Sequence, residues 1–400
     1  MSFIDRALVA VAGAPIKHDL HLSDSLFGAL QGPAFVALYC LCGVPLGWLA
    51  DRVSRRNLIA AGLLFWTAMT AVCGLAHSVG VFALGRIGVG LGEACLLPAG
   101  MSLLADVIPA RRMAGAVAVF LLGSTAGNVV ALLLGGHLLT WLAPVGGVAP
   151  WRALFLLACA PGVVMAALMM TIREPPRLGV PGPSWLELKH ALGHLRANAR
   201  AYGFLTAATA CSVTLAQAQA AWIPQVYGRR FGLAPGHSAV LVGWLFLISA
   251  PAGQWMGGLL IDRFRARGVA APSNLVLALF CAACLPAATL FCTATDLTRA
   301  AAGYAVFNAL VFAATPAGLS GWQALTPSRF RGMTIALLVS AVTLIGVGLG
   351  PVLVGTLTDH VFRDEKALGS SLLSIILAAG AAGTGFALAG RRAFARSVSV

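Results

Sequence analysis

Apolar residues run through this chain in long blocks separated by short polar turns. A helix that crosses a bilayer needs roughly 20 apolar residues at 1.5 Å each. Eleven segments reach that length, near 26–50, 57–76, 79–105, 112–142, 150–171, 201–226, 237–261, 272–294, 298–322, 332–357 and 368–390. A shorter apolar stretch, Ala7 to Ile16, precedes them and follows Asp5 and Arg6. It is too short to span alone. Its flanking charges include an acid and no small-residue cleavage site follows, so it is not read as a signal peptide. It reads as a twelfth helix, incomplete at its start. The longest polar stretch, Arg173 to Arg200, opens with Arg173-Glu174-Pro175-Pro176-Arg177. Those prolines stop the preceding helix. A Gly/Pro-rich segment follows, and then Leu186 to Ala199 with helical apolar spacing. The expected organisation is an N-terminal six-helix half (1–172), a linker carrying a surface helix (173–200) and a C-terminal six-helix half (201–400).

Composition removes the soluble alternatives. The chain is 59% hydrophobic and 10% charged, with a mean hydropathy of +0.88. Soluble domains carry about 25% charged residues, and disordered chains are less apolar than this one. The formal charge of +14 does not indicate nucleic acid, because the basic residues are scattered between apolar runs. They are also unevenly placed. Eighteen lysines and arginines fall in the even-numbered gaps, the linker and the C-terminal tail, against seven in the odd-numbered gaps. Positive residues stay on the cytoplasmic side, so both termini and the linker are expected there, in a multi-pass protein of the inner or plasma membrane. All nine cysteines lie in apolar runs and read as small buried hydrophobes. The histidines show no metal-ligand spacing, and neither a nucleophile–base pair nor a phosphate-cradling loop stands out. No metal, cofactor or enzymatic activity is expected.

The two halves repeat each other. Gly47-Trp-Leu-Ala-Asp51-Arg52-Val-Ser-Arg55-Arg56 recurs as Gly258-Leu-Leu-Ile-Asp262-Arg263-Phe-Arg-Ala-Arg267, and Pro109-Ala-Arg111-Arg112 as Pro327-Ser-Arg329-Phe-Arg331. Such internal repeats in matching loops mark a duplicated helical bundle. The first stretch is similar to the signature loop of the major facilitator superfamily, with Ser54 where that family usually has glycine. In it Gly47 would allow close helix approach, and Asp51, near a helix end, could pair with basic residues or cap a neighbouring helix. A solvated turn that only fixes orientation is the competing reading. Three further segments, Ile4-Asp5-Arg6, Leu22-Ser23-Asp24-Ser25 and Arg86-x-x-x-Gly90-x-Gly92-Glu93-Ala94, resemble the spinster-like branch. The resemblance implies a 12-helix fold of two pseudo-symmetric six-helix halves, with the first helix shortened at its start. It also implies a cargo of lysolipid or sphingolipid type.

Thirteen acids are present, and eleven of them, Asp19 and Asp24 included, fit aqueous or interfacial positions. Asp5 and Glu93 do not. A carboxylate at membrane depth costs roughly 2.5–3.5 kcal/mol on insertion scales, so it should face a cavity or a partner. Arg86 lies seven residues before Glu93, on the same helical face and about 10 Å away along the axis. That distance calls for partners on another helix, and the helix carrying Asp5 and Arg6 is the natural one. The functional reading of these four is a proton-coupling charge network in which a carboxylate releases Arg86 on protonation. The competing reading is a static salt bridge. Gln31, Asn128, Gln217 and Asn308 are polar residues in apolar helices, candidates for a substrate cavity or for helix-to-helix hydrogen bonding. The glycines at 88, 90 and 92 suit close helix packing.

The expected function is a secondary active transporter working by alternating access. It would be proton-coupled, monomeric and specific for an amphipathic or lipid-like organic substrate. The alternatives are a drug or organic-anion carrier and, less favoured, a membrane-embedded lipid enzyme.

Overall fold

The computed structural model describes residues 2–109, 112–142, 148–176, 185–327 and 331–398. Sixteen α-helices, with a π-helical turn (Leu357–Phe362) and a 3-10 turn (Glu365–Ala367), make up the regular structure of the described residues. The first segment is a pair, α1 (Ser2–Val11) and α2 (Gly13–Asp19). The second is also a pair, α3 (Asp24–Gln31) and α4 (Pro33–Ala50). Then come α5 (Arg55–Gly74), α6 (Val79–Glu93), α7 (Leu96–Val107), α8 (Met113–Trp141), α9 (Pro150–Thr171) and the linker helix α10 (Trp185–Ala197). The remainder comprises α11 (Ala199–Phe231), α12 (Pro235–Ala266), α13 (Pro272–Thr293), α14 (Leu297–Leu325), α15 (Arg331–Thr356) and α16 (Leu368–Val398).

Ten stretches among the described residues are long and apolar enough to cross a membrane. The eleventh sequence segment is α11, which is ample at 33 residues. Gln217, Gln219, Gln225, Arg229 and Arg230 lower its hydropathy.

Prolines set the breaks that shape the charge site. A proline cannot donate to the carbonyl four residues back, and its ring clashes there. Pro98 forbids the bond to Ala94, and α6 stops at Glu93. Pro15 forbids the bond to Val11, where α1 stops, and Pro33 opens α4 after Gly32.

The chain folds as two compact units. One comprises Met1–Gly182 with Ile223–Trp244, the other Pro183–Trp222 with Leu245–Val400. The division thus falls at 182/183 in the linker, and residues 223–244 group with the first unit. In that unit α5 packs against α6 and α9, α4 against α6, and α1 against α8. Close approach of α4 and α6 requires a glycine at position 90, where a Cβ would run into the carbonyl oxygen of Phe35. In the other unit α13 packs against α14 and α16. The linker helix belongs to this unit. Ala191 is fully buried, Leu195 packs on the core, and His194 Nε2 lies 3.0 Å from the Leu325 carbonyl.

All nine cysteines are free; five are buried, while Cys40, Cys42, Cys159 and Cys211 are half-buried.

Candidate functional site: a buried charge cluster and an arginine-centred loop

The break after Glu93 leaves its carboxylate at the end of α6, 2% exposed. Arg6 of α1 reaches it with two donors on one oxygen, Nε at 3.1 Å and Nη2 at 2.7 Å from Oε2. The guanidinium also sits over aromatic rings, Phe35 at 4.2 Å and Phe3 and Tyr39 each at 5.2 Å from Cζ. Aromatic faces attract cations, so this arginine is held by one carboxylate and three rings.

Asp5 is next to Arg6 in the chain but points elsewhere. It is 2% exposed, and the Thr70 hydroxyl lies 3.3 Å from its Oδ1. Its Oδ2 has no hydrogen-bond partner among the described residues. Arg86 is equally buried. It donates through Nε to the Leu30 carbonyl at 3.3 Å and lies 5.4 Å from the Phe35 ring. No carboxylate is within 4 Å of it among the described residues. The sequence expectation that a carboxylate holds Arg86 is therefore corrected: Glu93 holds Arg6. Asp5, the acid expected to reach Arg86 from the first helix, lies against the Thr70 hydroxyl instead.

The loop between α4 and α5 is organised differently from expectation. Arg55, 2% exposed, is its hub. It is ion-paired with Asp106, and its Nε lies 3.0 Å from Glu174 Oε1. It also donates to Ser102 Oγ at 3.2 Å and the Pro175 carbonyl at 3.1 Å. Glu174 in turn caps α5, accepting from Ser54 Oγ at 2.9 Å and Arg56 N at 2.9 Å. Asp51 and Arg52 are exposed. Arg52 lies over the Trp48 ring, while Asp51 has no ion-pair partner among the described residues. Asp51 caps the C-terminal end of α4, where no orphan N–H groups invite a carboxylate. Asp262 has one exposed pair, 3.8 Å from Arg265, and Arg263 is exposed. Gly47 meets Pro98 at an ordinary 3.5 Å, and Gly258 faces open space, so neither serves a close approach. The second loop repeat, at Arg329, lies outside the described residues.

Burial pushes the Glu174 carboxyl up, but the Arg56 N–H, the Arg55 guanidinium and the Ser54 hydroxyl outweigh it. Its pKa is held at about 2. A carboxylate whose pKa falls on folding stabilises the fold above its ordinary value, and that gain is lost as pH drops toward the folded value. The stability gap between wild type and Glu174→Gln is expected to be full at neutral pH. It should shrink below about 4.5 and vanish near 2. Thermal unfolding across pH checks this.

The candidate cavity residues scatter. Asn128 donates to Ser124 O on its own helix at 3.1 Å. Gln31 is buried and Gln217 half-buried. Asn308 is fully buried in a hydrogen-bonded chain. Tyr304 Oη donates to Gln219 Oε1 (2.7 Å), Gln219 Nε2 to Asn308 Oδ1 (3.2 Å) and Asn308 Nδ2 to Ser249 Oγ (2.7 Å). That arrangement is helix-to-helix hydrogen bonding. Asp24, which the sequence placed in an aqueous or interfacial position, is more enclosed than that reading required. It is 1% exposed, ion-paired with Lys17, and gripped by Arg229 through two bonds of 2.6 and 2.7 Å. Thr70, Phe35, Tyr39 and Asp106 carried no pattern that singled them out.

Residues 1–351 match the profile of the Major Facilitator Superfamily. The chain belongs to this superfamily. Among solved superfamily structures it is similar to a bacterial homologue of the human lysosomal transporter spinster, in its inward-facing and unoccupied conformation. The TM-score is 0.81 and the identity 25%, covering 100% of this chain and 94% of that one. It is 36% identical over 130 residues to an MFS-type efflux pump of Mycolicibacterium smegmatis, 32% of this chain and 30% of the pump. It is 23% identical over 277 residues to protein spinster of Drosophila melanogaster, 66% of this chain and 45% of that protein. The fold and the relatives are those of major facilitator transporters, and the spinster-like resemblance holds. The matches to the M. smegmatis pump and to a probable L-galactonate transporter of Escherichia coli span under a third of those proteins, 30% and 28%.

Proposed function

We propose that this protein is a secondary active transporter that works by alternating access, couples to protons and moves an amphipathic, lipid-like organic substrate. Asp5 carries the reading. It is a buried carboxyl with one oxygen unpaired among the described residues, one residue from a guanidinium whose own carboxylate is Glu93. A carboxyl so placed has a free oxygen to take a proton, and the Arg6–Glu93 pair beside it is the element that a change of charge would loosen. A ligand or proton shifts a conformational equilibrium only by its differential affinity for the two forms, and a charge in low dielectric supplies such a difference. The likeness to the spinster homologue supports the lipid-like cargo, and the aromatic rings around Arg6 suit a molecule with an apolar body and a charged head. Placement in the inner or plasma membrane with cytoplasmic termini, and action as a monomer, complete the proposal.

A second reading, an organic-anion carrier, is favoured by relatives whose names specify sugar acids. They are the probable L-galactonate transporter of E. coli, 32% identical over 127 residues, and the galacturonate transporter of Dickeya chrysanthemi, 28% over 127. Purified protein in liposomes loaded with a pH dye distinguishes the two. Proton movement driven by a fluorescent lysophospholipid supports the first reading and movement driven by galactonate the second. Flux of either that ignores an imposed pH gradient overturns the coupling.

A further inference from the structure

Two buried guanidiniums share one aromatic ring. The Phe35 ring centroid is 4.2 Å from Arg6 Cζ and 5.4 Å from Arg86 Cζ, and the residue is fully buried. Its position is held from two sides. Its carbonyl oxygen occupies the space a side chain at Gly90 would need, and its ring stacks on Tyr39 at 5.6 Å. The two arginines differ in what else holds them. Arg6 has Glu93, whereas Arg86 has the Leu30 carbonyl and this ring. A phenyl ring attracts a cation through its quadrupole and has no proton to gain or lose.

We propose that Phe35 is a positioning residue for the charge cluster. It keeps Arg86 beyond ion-pair distance of Asp5 and Glu93 among the described residues, so that Glu93 pairs with Arg6 while Asp5 is left to take up a proton. The proposal rests on the proton-coupled reading above. The charged and titratable groups facing this ring and its two arginines are Asp5 and Arg6 on α1, Tyr39 and Cys40 on α4, Cys73 on α5, and Arg86 and Glu93 on α6. Without the ring, Arg86 would turn to a carboxylate, which would then give up its charge less readily.

The test is a pH titration of intrinsic tryptophan fluorescence on the full-length protein in lipid nanodiscs. Trp66 is a reporter inside the cluster, 1% exposed, its carbonyl 3.0 Å from the Thr70 hydroxyl that faces Asp5. Phe35→Leu is expected to move the midpoint toward acid by about one pH unit or more, the size of a desolvated cation–π contact. Phe35→Tyr should leave it in place. Phe35→pentafluorophenylalanine keeps the shape and removes the attractive face. It should move the midpoint as leucine does, and it keeps the test open if the leucine variant fails to fold. A titrating wild type with unmoved midpoints in both the leucine and fluorinated variants overturns the role of Phe35 alone. A wild type that shows no titration overturns the proton-coupled reading and this proposal with it.

Discussion

Glu93→Gln is expected to cut transport driven by a pH gradient sharply while leaving the protein folded. The amide keeps the shape of the carboxylate but removes the charge that two Arg6 donors share at 3.1 and 2.7 Å. A hydrogen bond to a charged group is worth roughly 1.5–3 kcal/mol, so flux should fall about tenfold to a hundredfold. Arg6→Ala should be worse, because it strands a buried carboxylate, a change that costs about 3–5 kcal/mol. Arg86→Ala separates this geometry from the one the sequence suggested. If a carboxylate held Arg86, removing Arg86 would strand that carboxylate as removing Arg6 strands Glu93. Here Arg86→Ala should leave the Arg6–Glu93 pair intact and weaken packing around Phe35. Flux and thermal unfolding, measured side by side for the three variants, check the order. Normal pH-driven flux in Glu93→Gln would make the Arg6–Glu93 pair a packing element.

Arg55→Ala is expected to be the most destabilising change in the loop between α4 and α5. It removes the cation between Asp106 and Glu174, whose side chains are 11% and 27% exposed. Because both partners keep some contact with water, the loss should sit near the low end for broken buried pairs, about 3 kcal/mol. Arg55→Lys retains the charge and loses the fork that reaches Asp106, Glu174 and Ser102 together, so it should recover only part of the stability. Asp51→Asn should change unfolding little, since that carboxylate is exposed and unpaired among the described residues. Comparable losses in Asp51→Asn and Arg55→Ala would return the loop to the arrangement the sequence suggested.

The difference between those two residues shows what a sequence conveys and what it withholds. Spacing placed Asp51 and Arg55 in one short turn, and repetition in the second half marked that turn as important. Spacing says nothing about which of two neighbouring charges is covered. That depends on what the chain brings back, here Asp106 from the end of α7 and Glu174 from just beyond α9, 51 and 119 residues away in sequence. Glu174 was visible in the Arg-Glu-Pro-Pro-Arg run as a helix stop, yet its capping of α5 is a tertiary event.

Hydrophobic block length alone determined the helical segments, because a bilayer demands about 20 apolar residues per crossing whatever the segments later touch. Prolines stand just beyond the ends of α1, α3 and α6, yet α11 to α15 each run through one, so which proline interrupts a helix was not legible from the residue alone. The scarcity of acids singled out Asp5 and Glu93, since any carboxylate in apolar surroundings needs a reason to be there. Only the tertiary structure decided the pairings. It gave Glu93 to Arg6, set Arg86 against Phe35, left one oxygen of Asp5 without a partner and buried Asp24 between Lys17 and Arg229. Electrostatic partners are chosen by distance and burial after the helices pack, and residues 65 to 205 positions apart in the chain carry no sequence signal of their meeting.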